Sequence, residues 1–126
     1  MHKRLTLSGF TLIELLTTLS VMSILVGMAI PNYQQSILTT HRDQAKMKLT
    51  TISLLQTDHF SRHQTYLELK NLAIDLSSST YQYSIDITDN NQYKITATSI
   101  GNQRNDEDCK EMSLNHNLAQ LPTLCW

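Results

Sequence analysis

The chain is poor in the residues from which common catalytic and cofactor-binding motifs are built. Its 126 residues include three glycines, two cysteines and two prolines. The sequence contains no glycine-rich phosphate loop, no paired cysteine and histidine set with zinc spacing, and no serine or cysteine that can be paired with a base. We therefore expect that the protein is not an enzyme and that it uses no cofactor and no metal.

Basic residues are not in excess either. Ten Lys and Arg stand against eleven Asp and Glu, which gives a formal net charge of −1 with neutral His. Lys3 and Arg4 lie in the first nine residues, so a chain without that segment keeps eight basic and eleven acidic residues. This balance supplies no positive field for a polyanion. We do not expect nucleic acid among the partners.

One long apolar run is present, from Phe10 to Ile30. A helix of about 20 residues spans about 30 Å, the hydrocarbon thickness of a bilayer, so the run predicts a membrane helix. Glu14 lies inside it, and a charged carboxylate in a membrane segment costs roughly 2.5 to 3.5 kcal/mol or more. Glu14 is therefore a candidate functional residue that requires a partner.

The segment before the run differs from a secretory signal. The small residues Ser8 and Gly9 precede the apolar run, whereas a secretory cleavage site follows one. A cut between Gly9 and Phe10 would keep the apolar segment and place the new α-amine of Phe10 about one helical turn from Glu14. An amine is thus the nearest candidate partner of the carboxylate.

This junction resembles the class III signal of type IV prepilins, with SGFTLIELL at its start and AIPNYQQS at the far end of the run. The resemblance implies that a dedicated prepilin peptidase cleaves after Gly9 on the cytoplasmic face and that Phe10 is N-methylated. It also implies that Glu14 neutralises the terminal amine of a neighbouring subunit during assembly.

The resemblance divides the chain into three parts: a leader at 1–9, a transmembrane or filament-core helix at 10–31, and a periplasmic head at 32–126. Because Pro31 cannot donate to the carbonyl of Gly27, the helix should kink or loosen between these residues. Pilins have a helix that can melt just before such a proline in a filament.

After Pro31 the pattern remains helical and becomes amphipathic as far as about Arg62. The stripe that should face a domain consists of Leu38, His41, Ala45, Leu49, Ile52, Leu55 and His59. His59 and His63 are four residues apart, a spacing that can chelate a metal. With no third ligand in sight, the sequence favours no metal at this pair.

The rest of the head predicts a small antiparallel sheet. A connecting segment, 63–80, contains a possible short helix over Leu67 to Leu76, as in the αβ-loop of pilins. Period-two alternation predicts strands at 81–88 and 92–100, joined by a turn at 89–91. A third strand is expected from Lys110 to Asn115. The fold class is therefore α+β, a long N-terminal helix packed on a small antiparallel sheet, which is the type IV pilin fold.

Two acidic runs could supply oxygen ligands for calcium: Asp86, Asp89 and Asn90, or Asp106, Glu107 and Asp108. Neither has EF-hand spacing. Short acidic runs are usually solvated faces, and this is the interpretation that we prefer.

Cys109 and Cys125 are the only cysteines. In an oxidising compartment such as the periplasm they should form a disulfide that closes a loop and stabilises the head by about 3 kcal/mol. In the pilin family a C-terminal disulfide encloses a variable surface region, and an ending of Cys followed by an aromatic resembles PilE-like minor pilins.

The resemblance implies a minor pilin of a type IV pilus that takes part in pilus assembly and in adhesion, twitching motility or DNA uptake. A pseudopilin of a type II secretion system and a DNA-binding pilin of a competence system are the alternatives; the latter would require a head rich in Lys and Arg. The implied partners are the prepilin peptidase, major and minor pilins, the inner-membrane assembly platform, and membrane lipid before assembly. The positive leader places the N-terminus in the cytoplasm and the head in the periplasm, as a single-pass inner-membrane protein that later enters an extracellular pilus.

Overall fold

A computed structural model of the protein describes residues 9–89 and 91–126. The rest of the leader and Asn90, which was expected in a turn, lie outside these residues. The chain divides into two compact units, one that ends at Ser36 and one from Ile37 to Trp126. The second unit, which makes up all but the first five residues of the head, contains the hydrophobic core.

The first helix, α1, runs from Leu12 to His63. Its apolar part is long and apolar enough to cross a membrane, and its large hydrophobic side chains are exposed in the isolated chain. The hydroxyl groups of this part bond to carbonyls one turn back, for example Ser20 to Leu16 (2.8 Å) and Ser23 to Leu19 (2.8 Å). Because these hydroxyls are satisfied within the helix, they can enter lipid with their hydrogen bonds intact.

Gly27 and Pro31 both lie within α1, whose helical assignment is unbroken. Melting of this stretch would take place in a filament, so the break expected at these residues stays a prediction. The helix ends one residue beyond the expected Arg62. There Gln64 adopts a left-handed conformation (φ 58°) and its N–H donates to the carbonyl of Phe60 at 2.9 Å, as in a common type of helix C-cap.

The head contains one four-stranded antiparallel sheet in the order β1 (Tyr81–Asp89), β2 (Gln92–Ser99), β3 (Glu111–Asn115) and β4 (Gln120–Leu121). The first three strands confirm the expectation from the alternation. The fourth was not predicted, because two residues show no periodicity; it is defined by its pairing with Ser113 and Leu114 of β3.

The core lies between the amphipathic part of α1 and one face of the sheet. From the expected stripe of α1, Ala45, Leu49 and Ile52 are buried. They belong to one cluster with the inward residues of the central strands, which are Tyr93, Ile95, Ala97, Met112 and Leu114. These residues face inward because alternate side chains of a strand point to the same side. The expected α+β architecture is confirmed.

The expected short helix over Leu67 to Leu76 is reduced to a 3-10 turn at Leu69–Asn71. The reason is a contact from α1. The side chain of Gln56, fully buried, donates to the carbonyl of Leu67 (2.6 Å) and accepts from its N–H (2.9 Å). These bonds satisfy the backbone of Leu67 without a helix.

Cys109 and Cys125 form the expected disulfide, with their Cα atoms 5.8 Å apart. Both cysteines are buried in the core cluster. The bond therefore connects the end of the chain to the segment just before β3.

We predict that Cys125→Ser lowers the free energy of unfolding of the head by about 3 kcal/mol, because the open chain gains conformational entropy when unfolded. Thermal and urea unfolding of wild type and variant measure the loss, and reductant should lower the stability of the wild type alone. Leu124→Ser changes an exposed neighbour and serves as the control. Equal stability of wild type and Cys125→Ser would contradict a stabilising role for the bond.

Candidate functional site

The junction that precedes α1 is accessible. Gly9 and Phe10 are exposed and precede the first helical residue, Leu12. The Phe10 side chain is 74% exposed. A bond in this conformation can be reached by another protein without unfolding of the helix.

Glu14 lies in the first turn of α1, where its N–H donates to the hydroxyl of Thr11 (3.3 Å) and to its carbonyl (3.1 Å). Thr11 and Glu14 have the spacing of a capping box, a signal that is present in the amino-acid sequence itself. The carboxylate is exposed near the positive end of the helix dipole. Among the residues that the structure describes, no cation pairs with it.

In the head, most basic side chains are already engaged. Five of them bond within the chain: Arg42 to Asp106, Lys46 to Asp43, Arg62 to Asp58, Lys70 to Glu68, and Lys48 to the carbonyls of Asp75 and Ser77. Lys94, Arg104 and Lys110 are exposed and have no ion-pair or side-chain hydrogen-bond partner among residues 9–89 and 91–126. We call these three residues the free cations.

The free cations lie near the two ends of β2. Lys94 is on the exposed face near its start, opposite Asp86 of β1. Ser99, the last residue of β2, donates its N–H to the carbonyl of Lys110 at 2.7 Å. At about 3.3 Å per residue, the backbones of Lys94 and Lys110 are therefore about 17 Å apart. Arg104 is in the 3-10 helix that follows β2, Gly101–Asn105.

A buried ion pair holds the segment that carries Arg104 and Lys110. Arg42 of α1 donates to both carboxylate oxygens of Asp106, from Nε at 3.0 Å and from Nη2 at 2.6 Å. This two-point geometry is the strong form of the interaction. The hydrogen bond to Asp106 raises the pKa of Arg42, although burial alone would lower it.

Gln103 extends this contact into a network. It is 1% exposed, and its Nε2 donates to the carbonyl of Leu38 (3.0 Å) and toward Asp106 (3.3 Å). Its Oε1 lies 3.2 Å from Nδ1 of His41. Side chains of the segment between β2 and β3 thus anchor it to α1.

The expectation that the run Asp106, Glu107 and Asp108 is a solvated face is wrong for Asp106, which is 5% exposed. Both of its carboxylate oxygens are bonded to Arg42, so it is an ion-pair partner and not a calcium ligand. Within the part of the chain that the structure describes, no group of three or more His, Cys, Asp or Glu could hold a metal ion.

A family model described as "Type IV minor pilin ComP, DNA uptake sequence receptor" matches residues 31–113. The chain belongs to this family of minor pilins. A model of the prokaryotic N-terminal methylation motif matches residues 8–30. The expected identity as a minor pilin of type IV pili is thereby confirmed, and a leader processed by a peptidase and assembly with other pilins follow from the methylation motif.

A solved type IV pilin from Shewanella oneidensis has the same fold as this minor pilin, with a TM-score of 0.60 at 24% sequence identity. The alignment covers 71% of this chain and 97% of that one. No curated protein matches this sequence. Pilins are structural subunits of filaments.

The expectation that nucleic acid is not a partner conflicts with the family description, which names a receptor for a DNA sequence. It was drawn from the net charge of the whole chain. A net charge does not report which cations are engaged internally and which remain exposed without a partner.

We predict that Asp106→Ala lowers the stability of the head by about 3 kcal/mol, because it leaves the partly buried guanidinium of Arg42 without its partner. Urea unfolding measures the loss. The control is Asp58→Ala, which breaks an exposed ion pair and should cost about 1 kcal/mol or less. Similar losses in the two variants would show that the network does not anchor the segment.

Proposed function

We propose that this minor pilin is made as a precursor in the inner membrane, with its N-terminus in the cytoplasm and residues 32–126 in the periplasm. The prepilin peptidase cleaves it between Gly9 and Phe10, and Phe10 is methylated. Residues 10–31 lie in lipid until the assembly platform transfers the subunit to the pilus, where it joins major and minor pilins outside the cell. The match to the methylation motif and the exposed junction support this proposal.

In this proposal Glu14 neutralises the terminal amine of a neighbouring subunit. The support is that its carboxylate lies in an apolar helix and has no cationic partner in the described part of its own chain. A charge of this kind in a non-polar environment requires an opposite charge from outside.

We predict that Glu14→Ala leaves membrane insertion intact and lowers incorporation into sheared pili, because the segment becomes more apolar while the amine loses its partner. Immunoblots of membrane and pilus fractions measure both. Glu14→Gln is the control, because glutamine keeps the capping-box pattern with Thr11 but removes the charge. If Glu14→Gln assembles normally and Glu14→Ala does not, capping and not charge is the role of Glu14.

We propose further that the head of this minor pilin binds DNA during uptake. The observation that carries this proposal is the set of free cations, which are exposed, lie near the two ends of β2 and have no ion-pair partner in the described part of the chain. Lys and Arg that contact phosphates release counterions and supply most of the sequence-independent affinity for DNA. The description of the family supports the same partner.

The buried network contributes by keeping the free cations in place. Arg104 lies between Gln103 and Asp106, which are both anchored to α1. Lys110 follows Cys109, which is held by the disulfide. Preorganised charges bind with a smaller entropic cost than charges on a flexible loop.

We predict that the triple variant Lys94→Ala, Arg104→Ala and Lys110→Ala weakens binding of a fluorescent DNA duplex and reduces the slope of log K against log salt by about 2 to 3, since each phosphate contact contributes about 0.9. Fluorescence anisotropy at several salt concentrations measures both quantities. Asp86→Asn, which removes the acid opposite Lys94, should tighten binding.

The matched control is Lys46→Ala, Arg62→Ala and Lys70→Ala, which removes the same charge from side chains that are already in ion pairs. It should retain most of the affinity and most of the salt slope. Equal losses in the two triple variants would indicate that only net charge matters and would refute an interface at the free cations.

A further inference from the structure

The last turn of α1 carries two histidines on one side. His59 and His63 are four residues apart, and their rings lie 4.5 Å apart between centroids with planes inclined by 31°. Residues at this spacing are neighbours on a helix surface. Two imidazoles that bind one metal with bonds of about 2.1 Å at a tetrahedral angle place their nitrogens about 3.4 Å apart. The ring separation is compatible with this geometry, and the exposed His63 side chain has room to rotate.

The ring of His59 is already oriented. Its Nδ1 lies 2.7 Å from the carbonyl oxygen of Thr65, just beyond the end of the helix. A carbonyl can only accept, so Nδ1 carries the proton and donates it, and in the neutral ring Nε2 keeps its lone pair. Metal-binding histidines usually have this arrangement, in which a backbone carbonyl fixes the tautomer and leaves the other nitrogen for the metal.

The charges around His59 and His63 are compatible with a bound cation. His63 is the last residue of α1, where the helix dipole presents its negative end. Arg62, the basic residue between the two histidines, is paired with Asp58 at 2.8 Å. The turn is terminated by Gln64 in its left-handed conformation, which carries the chain back so that Thr65 reaches His59.

We propose that His59 and His63 form a two-histidine site for a divalent late transition metal, Cu²⁺, Ni²⁺ or Zn²⁺. Imidazole nitrogen suits these ions, and Cu²⁺ should bind most tightly in the Irving–Williams order. Two protein ligands leave the other coordination positions to water or to a donor from a partner. The site is separate from the free cations and does not depend on DNA binding.

The test is calorimetric titration of the full chain in detergent, without a histidine tag, with CuCl₂, NiCl₂ and ZnCl₂. The central variant is the exchange Ser61→His with His63→Ser, which keeps the composition but places the histidines two residues apart, where they do not face each other on a helix. The wild type should bind about tenfold or more tightly than this variant, because the second ligand then binds intramolecularly. Nitrogen NMR should show that metal binding changes the chemical shift of Nε2 of His59.

His116→Gln, a change at a histidine elsewhere in the head, should leave the affinity unchanged. His2 is present in the wild type and in every variant, so any metal binding by His2 contributes equally to all the measured affinities. Equal affinity of the wild type and the exchanged variant, loss of affinity in His116→Gln, or no binding by the wild type at millimolar metal would each overturn the proposal.

Discussion

The ion pair between Arg42 and Asp106 joins two parts of the chain that are 64 residues apart in sequence. It is bidentate and largely removed from water, and Gln103 adds hydrogen bonds on the same side. It holds the connection between β2 and β3 against α1, together with the hydrogen bond from Gln103 to Leu38. A buried pair of this kind is costly to break, because either partner alone is an uncompensated charge in a poor solvent.

The disulfide also constrains the segment between β2 and β3. Cys109 ends the anchored segment and Cys125 lies near the end of the chain, and both are in the core cluster. The head is small, so its core can bury only a limited apolar area and additional constraints contribute a large part of its stability. The ion pair and the disulfide together hold the segment that carries Arg104 and Lys110.

The two units of the chain are suited to different surroundings. The apolar part of α1 leaves its large side chains exposed, which is unfavourable in water and favourable in lipid or against other apolar helices. Its hydroxyls bond to its own carbonyls and Glu14 is its single acid. In the head the same helix presents one apolar stripe to the sheet, and its polar side chains form ion pairs at the surface.

The amino-acid sequence by itself determined the features that depend on neighbours in the chain. Five such features are visible as spacing or composition. They are the junction at Gly9 and Phe10, the membrane-length apolar run, the stripe through Ala45, Leu49 and Ile52, the alternation of β1 and β2, and a disulfide between the only two cysteines. Periodicity encodes which face of a helix or strand is buried, and this was enough for the fold class. It was also enough, with the leader motif, for the family.

Only the tertiary structure decided the contacts between distant residues. Four features depend on which residues meet after folding. They are the pairing of Asp106 with Arg42, the bonds from Gln56 that replace a helix at Leu67, the two-residue strand β4 and the identity of the free cations. Hydrogen bonds and ion pairs of this kind form between single residues far apart in the chain, and they leave no periodic pattern. For the same reason the net charge of the sequence could not show where positive charge remains available for a partner.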